Sequence, residues 1–300
     1  MTIMLYDLDM KKVFFIFLFA LGVPFSSCNS SEKKDLGKNR LSAKEPVDIK
    51  KVMSKAPAWS YDFEQGWNAE HGKGSLENKS SKAKKWRYSQ MQSKEAGKVI
   101  GDPKNKDNKV MRFVWKKNAG RQYDTNTQKK AHLYGNFGAN SRQKEVWSFR
   151  VYFPSNSMLS DNRSEIIVQW HGHPDKNEAM RNPPLALDNR LDKLTVSWLY
   201  DERKMTPPRF RKWNRKSVDL GTTPKDKWVQ FIFDINWGPD GSGALRIWID
   251  DQIKVDEQNI AIGFNDEVGP YIGFGIYKFE NTSQHKNRAL LFDDFAQWVY

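Results

Sequence analysis

Short runs of alternating apolar and polar residues, separated by turn-forming residues, constrain this chain more than any other feature. Residues 110–115, 145–153, 165–171, 194–200, 228–235, 245–249, 271–277 and 290–295 all read as strands. Gly238-Pro239-Asp240-Gly241-Ser242-Gly243 joins two of them as a hairpin. No stretch sustains a helical period, and no internal repeat is visible. About 240 residues of this pattern, in one composition regime, predict a single all-β domain: a jelly roll or sandwich of two antiparallel sheets.

Alternation also assigns faces. Val229, Phe231, Phe233 and Ile235 share one side of their strand, as do Leu245, Ile247 and Ile249, and both sets are predicted core. Arg246 and Trp248 are left on the opposite side. A concave outer sheet carrying Arg, Trp, His and Tyr would suit a long polar ligand.

The composition supports a folded, export-competent chain. Its 12 Trp, 18 Phe and 10 Tyr supply a core, and 28% charged residues exclude a polytopic helical membrane protein. Lys+Arg 49 against Asp+Glu 36 gives a net charge of +13, which suits a polyanionic partner. One cysteine rules out an internal disulfide and a Cys-based zinc site.

Met10-Lys11-Lys12 precedes an apolar run of 11 residues, 13–23, and then Pro24-Phe25-Ser26-Ser27-Cys28. That is a basic segment, an apolar segment and a small-residue cleavage site. Eleven residues of helix reach about 16 Å, short of the roughly 30 Å hydrocarbon core, so the run does not span a bilayer. Phe25-Ser26-Ser27-Cys28 resembles a bacterial lipobox of the Bacteroidetes type, which makes Cys28 the expected lipidation site and residues 1–27 the signal. Removing 1–27 deletes Lys11 and Lys12 but also Asp7 and Asp9, so the charge is unchanged. Residues 28–58 read as a polar flexible tether and 59–300 as the folded domain. The expected location is the cell surface or outer membrane, with membrane contact only through the lipid. Export argues against nucleic acid as the partner.

Three groups of residues carry candidate chemistry. In 165–171, period two puts Gln169, His171 and, beyond the strand, His173 on one face, with Ile166, Val168 and Trp170 on the other. A carboxamide beside an imidazole can bind an acidic group while the imidazole takes a proton; the same residues also suit a plain surface strand. In 271–277, Ile272, Phe274 and Ile276 face the core, and Tyr271, Gly273, Gly275 and Tyr277 face out. Two outward glycines would let a ligand approach beside Tyr277, and Lys278, if near, would lower its phenol pKa. Lys130 and His132 share a face, as do Ser148, Arg150 and Tyr152.

Lys130-Ala131-His132-Leu133, then residues 147–154, then Gln169-Trp170-His171-Gly172 occur in a recognisable order. Pro183-Pro184-Leu185-Ala186-Leu187, Gly269-Pro270-Tyr271, Gly275-Ile276-Tyr277-Lys278 and Phe292-Asp293-Asp294-Phe295 complete it. Over roughly residues 60–300 the chain resembles the heparin-lyase-I-like polysaccharide lyases, relatives of glucuronan, alginate and ulvan lyases. The resemblance implies a concanavalin-like jelly roll and β-elimination at a uronic acid. It implies His171 as base, Tyr277 as acid, and Gln169 with Lys130, in place of a usual Arg, neutralising the uronate. Substrate contacts are then expected from Lys130, His132, Arg150, His173, Arg246, Trp248 and Lys278. The Lys-Ala-His order departs from the family's Arg-Ser/Ala-Glu, so His132 could join the site, and Gly273 stands where many relatives have Lys.

The residue types fit that chemistry. Taking a C5 proton beside a carboxylate loads charge onto an anion, so donors must stabilise an enolate. The chemistry needs no cofactor, although relatives often hold a structural calcium; Glu64 and Asp293 are the expected oxygen ligands. The partner is an acidic polysaccharide, such as ulvan or glucuronan, acted on by a monomer. A non-catalytic glycan-binding lipoprotein is the alternative. A glycoside hydrolase would need two carboxylates about 5–10 Å apart, and no strand carries such an array.

Overall fold

In a computed structural model, residues 48–66, 88–119, 129–135, 138, 140–178, 180–207 and 214–300 are described. Cys28, the signal and most of the tether lie outside them. The strands are β1 (Trp59–Tyr61), β2 (Tyr88–Met91), β3 (Gly97–Gly101), β4 (Lys109–Lys116) and β5 (Lys130–Tyr134). Then come β6 (Lys144–Tyr152), β7 (Glu165–His171), β8 (Leu185–Arg190), β9 (Lys193–Tyr200) and β10 (Asn214–Thr222). The last are β11 (Trp228–Asn236), β12 (Gly238–Ile249), β13 (Gln252–Ile262), β14 (Tyr271–Tyr277) and β15 (Asn287–Val299).

They form two antiparallel sheets. One is ordered β13-β12-β11-β6-β15-β4-β3, with β1 added on β15 to make eight strands; the other is β10-β9-β8-β7-β14-β5-β2. The predicted all-β sandwich is what forms. Between the sheets, Phe149, Phe231, Phe233, Trp170, Phe274, Phe292 and Phe295 pack in one continuous core. The predicted faces of β11, β12 and β14 are correct: Val229, Phe231, Leu245, Ile247, Ile272 and Ile276 are fully buried.

Two expectations change. The segment before β1 is not all tether: Ile49–Met53 is a helix, α1, capped by the Asp48 side chain. It seats Val52 on Val146, Ile232 and Trp298, against the outer face of the eight-stranded sheet. Strand β7 carries a bulge between Ile166 and Val168, so Ile167 joins the core and Ile166 leaves it. Strict alternation assigned Ile166 to the core because it cannot foresee an extra residue in the ladder.

Beneath one end of the sandwich lies a buried ionic cluster. Arg288 of β15 donates from Nε to Glu165 Oε2 at 3.0 Å and from Nη2 to Oε1 at 2.5 Å, tying one sheet to the other. Lys278 Nζ donates to Asp161 Oδ2 at 2.9 Å and to the Arg163 carbonyl at 2.8 Å, and lies 3.3 Å from Glu165 Oε2. Burial pushes the Asp161 carboxyl up, but bonds from Ser283, Lys278 and the Arg163 backbone outweigh it and hold the acid well below its ordinary value. Lys278 is therefore a structural cation, wholly buried, and not the substrate contact expected of it. Removing one member of a buried ion pair leaves an uncompensated charge. Lys278→Met should lower stability by about 3–5 kcal/mol, read as an earlier urea midpoint with an unchanged slope.

Candidate active site

The outer face of the seven-stranded sheet gathers the candidate chemistry on β5, β7 and β14. Register places His132 opposite Gly275, Lys130 opposite Tyr277, Gln169 opposite Gly273 and His171 opposite Tyr271. Tyr277 itself pairs with Ile166, five residues along β7 from His171, or about 16 Å of strand. Along this face the rings run His171–Tyr271, Tyr271–Tyr134, Tyr134–His132 and His132–Tyr277, with centroids 5.4, 6.0, 5.3 and 6.2 Å apart.

The imidazole that meets the phenol is therefore that of His132, not the expected one of His171. Antiparallel pairing is the reason: moving from Gln169 to His171 runs away from Tyr277. His171 remains on the same face, its Nδ1 2.7 Å from the Gly172 carbonyl and its ring stacked on Tyr271. That bond makes Nδ1 the protonated nitrogen in the neutral ring and leaves Nε2 as acceptor.

Two outward glycines shape this surface, though not by opening it to a ligand. A side chain at Gly273 would strike the Tyr134 ring at 2.5 Å and lie 3.4 Å from His132 Nδ1. Gly273 thus makes room for Tyr134 and His132. Gly275 has φ +131°, and a Cβ there would sit 2.0 Å from the Ala131 carbonyl oxygen. It allows the bulge between Phe274 and Tyr277 that brings the phenol over His132.

Polar groups at the centre are sparsely satisfied. His132 is fully buried, and its ring nitrogens meet only the Ile166 backbone, in poor geometry. Gln169 Nε2 reaches only the Tyr134 hydroxyl, at 3.4 Å, and its Oε1 has no partner. Lys130 Nζ donates to Gln90 Oε1 at 2.7 Å and lies 4.4 Å from the Tyr277 ring centre; Tyr134 donates to the same Gln90 oxygen at 3.1 Å. Native interiors satisfy most buried polar atoms, so unpartnered ones clustered on one face mark a place of function.

Burial sets the protonation states. It holds the His132 pKa well below its ordinary value, helped by the Lys130 charge and opposed only by the Ile166 backbone. Burial also lowers His171, with Lys130, Arg181 and His173 adding to it and the Gly172 carbonyl opposing. The phenol of Tyr277 is pushed above its ordinary value by burial alone. The expectation that Lys278 would lower it fails because that cation points inward, toward Asp161. Near neutral pH the centre thus holds a neutral imidazole and a protonated phenol.

Other expected contacts lie elsewhere. Arg150 and Arg246 are on the eight-stranded sheet, where odd-even alternation alone could not tell one outer face from the other. Arg150 pairs with Asp293 and Asp294 at 2.8 and 2.7 Å and lies over Trp228. Arg246 is bound to Asp234, and Trp248 packs beside it under α1. His173 is exposed just beyond β7.

Glu64 and Asp293 each have protein partners on one carboxylate oxygen, while the buried Asp293 Oδ1 has none among the described residues. The Glu64 carboxylate accepts from the Lys109 backbone at 2.7 Å, while Asp293 is occupied by Asn108 at 2.9 Å and neutralised by Arg150. Among the described residues, the three acids whose ligand atoms converge within 4.8 Å are Asp175, Glu178 and Asp266, and buried Arg181 pairs with the last two.

Tyr134, Gln90 and Asp188 were missed in the sequence. Tyr134 continues the Lys130–His132 alternation by one step, so the signal was present. Asp188 lies opposite Ile166 on β8; burial raises its pKa to about 6, against the Arg215 charge and the Ser164 and Ser197 hydroxyls. Gln90 sits on an edge strand whose sequence has no clear alternation.

A family model described as Polysaccharide lyase matches residues 78–296. No curated protein matches the chain. Among solved structures, it is similar to an endo-β-1,4-glucuronan lyase from the fungus Trichoderma reesei, with a TM-score of 0.60 at 15% identity over 82% of this chain and 96% of that one. That likeness bears on the fold. An alginate lyase from Pseudomonas aeruginosa follows with a TM-score of 0.43, at 17% identity over 64% of this chain and 83% of that one.

The electrostatics can be checked directly. By NMR, the His132 ring should stay neutral at pH 6.5, and Lys130→Met should raise its titration midpoint by removing a repelling charge.

Proposed function

The chain belongs to the polysaccharide lyase family, and from that premise we propose that it cleaves a uronate-containing polysaccharide by β-elimination on the outer face of the seven-stranded sheet. The observation that carries this reading is the His132 imidazole, held by no well-formed hydrogen bond, beside the Tyr277 phenol with ring centres 6.2 Å apart. Tyr277 makes no hydrogen bond to a described residue, so its proton is available to a ligand.

In the proposed step, seating of the sugar shifts the Tyr134 and Tyr277 rings that pack on the fully buried His132, and its imidazole then removes the C5 proton. The C5–H electrons form the C4=C5 double bond, the C4–O4 bond breaks, and Tyr277 protonates the departing oxygen. The imidazolium and phenolate then exchange a proton to restore the enzyme. The Gln169 amide and Lys130 ammonium hold the uronate carboxylate while charge spreads onto it. One cause, burial, favours both roles, since it deprotonates the base and keeps the acid protonated.

Base and acid rise from the same sheet and so meet one face of the sugar. A syn elimination follows, which needs C5–H and C4–O4 on the same side of the ring. Glucuronate and mannuronate have that arrangement; iduronate and guluronate do not. The reading therefore favours glucuronan, or the glucuronate units of ulvan, over heparin-type iduronate. The named activity of the Trichoderma reesei relative agrees with this choice without deciding it. His171 and Tyr271 flank the reacting sugar as a neighbouring binding position. A location at the cell surface rests on residues 10–28 alone, and Cys28→Ser should move the protein from the membrane fraction to the soluble one.

The decisive assay is the absorbance of the unsaturated product on a panel of uronate polymers. Tyr277→Phe and His132→Asn should each cost about 10²–10⁴ in kcat/KM, and His171→Asn no more than about tenfold. Equal losses at His132 and His171 would remove the assignment of the base, while a silent wild type on every polymer would remove the lyase reading. For the wild type, the acid limb of kcat/KM should fall below pH 6.5, because His132 must lose its proton and its pKa is depressed. The alkaline limb should fall above pH 10, because Tyr277 must keep its proton and its pKa is raised.

A further inference from the structure

A well-defined concavity lies away from the rings of β5, β7 and β14. It is a groove of about 770 Å³ on the outer face of the eight-stranded sheet, across the sandwich from them. Strands β4 and β15 form its floor with Val114, Ala289 and Leu291, and Tyr152 of β6 closes one side. These side chains are outward members of strands whose alternate residues, Phe113, Trp115 and Leu290, fill the core. The volume lies within the range of sites that hold small ligands or short chain segments.

The charge of the groove is unbalanced. Arg112, Lys116 and Lys286 line it, and none makes an ion pair or side-chain hydrogen bond among the described residues. Lys104 adds a fourth cation at its edge, 5.8 Å from the Tyr152 ring centre. The one acid in the lining, Asp226, already accepts from the Ser155 backbone at 2.9 Å. Two other arginines of this face are matched: Arg150 has Asp293 and Asp294, and Arg246 has Asp234. Arg112 and Lys116 are four residues apart on one side of β4, about 13 Å. Lys116 lies opposite Asn287, next to Lys286. The groove therefore offers positive charge at two separated points over an apolar floor. That pattern suits a polymer with repeated carboxylates and sugar C–H faces better than a compact single anion.

We propose that this groove is a second, non-catalytic binding site for the acidic polysaccharide. It rests on the reading of the substrate as a polyuronate. Its titratable groups are already engaged, His285 Nε2 at 2.7 Å from the Ser160 carbonyl and Asp226 by the Ser155 backbone, so the groove is read as holding a segment without cleaving it. Binding one segment behind the sandwich while another lies across Tyr277 makes the second contact intramolecular. The polymer's effective concentration at the cleaving face then rises, with no benefit for fragments too short to reach both faces.

The test uses the triple variant R112S/K116S/K286S in the full chain, alone and combined with Tyr277→Phe. Retention of the Tyr277→Phe protein in gels containing glucuronan, with a neutral glucan as control, reads binding without turnover. The triple variant should weaken that retention about tenfold, since three exposed ion pairs each contribute a fraction of a kcal/mol. With Tyr277 intact, it should lower kcat/KM on long polymer and leave it unchanged on trisaccharides. Unchanged retention overturns the proposal, as does an equal fall on polymer and trisaccharide. Retention unchanged but binding to phosphatidylglycerol vesicles lost would reassign the groove to a membrane surface and also overturn it. If no polymer is cleaved yet the triple variant abolishes retention, the lyase reading fails and the groove survives.

Discussion

Arg288 and Glu165 hold the two sheets together at the end where the chemistry lies. Arg288 comes from the start of β15 and Glu165 from the start of β7, so their paired bonds cross the sandwich. Lys278, the residue after Tyr277, completes the cluster through Asp161 and Glu165. Charges buried this deeply add stability only when every partner is in place; otherwise desolvation dominates. Their value here is geometric. They fix where β7 begins and where β14 ends, and the position of Tyr277 follows from both.

With its end pinned, β14 must fit one residue more than β7 can pair. The excess is taken up at Gly275, whose positive φ and missing side chain let the strand close against Ala131. Past that bulge Tyr277 leans over His132, one strand away, and Gly273 leaves the space into which the Tyr134 ring fits. Packing and chemistry are thus linked by two glycines. Neither contacts a substrate in the proposed mechanism, yet both decide which imidazole the phenol meets.

Much of this was legible in the sequence, and the omissions have separable physical causes. Central strands such as β7 and β14 bury one full face, so alternation located them to the residue. The edge strands β2, β3, β10 and β13 went unread because an edge strand buries few side chains, β10 being almost wholly exposed; the three-residue β1 and the central, buried β8, which directly follows Pro183-Pro184, went unread as well. Gln169 and Tyr277 were found because their residue types carry chemistry on an outward face. Which imidazole neighbours Tyr277 was misjudged for a different reason: the Gln-x-His spacing states which residues share a face but not in which direction the partner strand runs. Only register separates His132 from His171. Arg150, Arg246 and Trp248 show the same limit, since a sandwich has two outer faces and period two cannot distinguish them.

The distribution of charge then separates the two faces by task. On the seven-stranded face the nearest cation, Lys130, is held by Gln90 and lies against the Tyr277 ring, so it acts over short range on a few groups. Further positive charge there would lower the phenol pKa and weaken it as a proton donor only after ionisation became favourable, while also suppressing protonation of the imidazole. Beyond the groups that would hold the uronate carboxylate, a neutral base and a neutral acid do not require positive charge spread over many residues. Attraction of a polyanion needs the opposite: exposed, unpaired cations spread over the length of a chain segment. In the reading proposed above, Arg112, Lys116 and Lys286 would meet that need on the far face, across the sandwich from the proposed proton transfers. The overall excess of +13 need not therefore reside where bonds are broken.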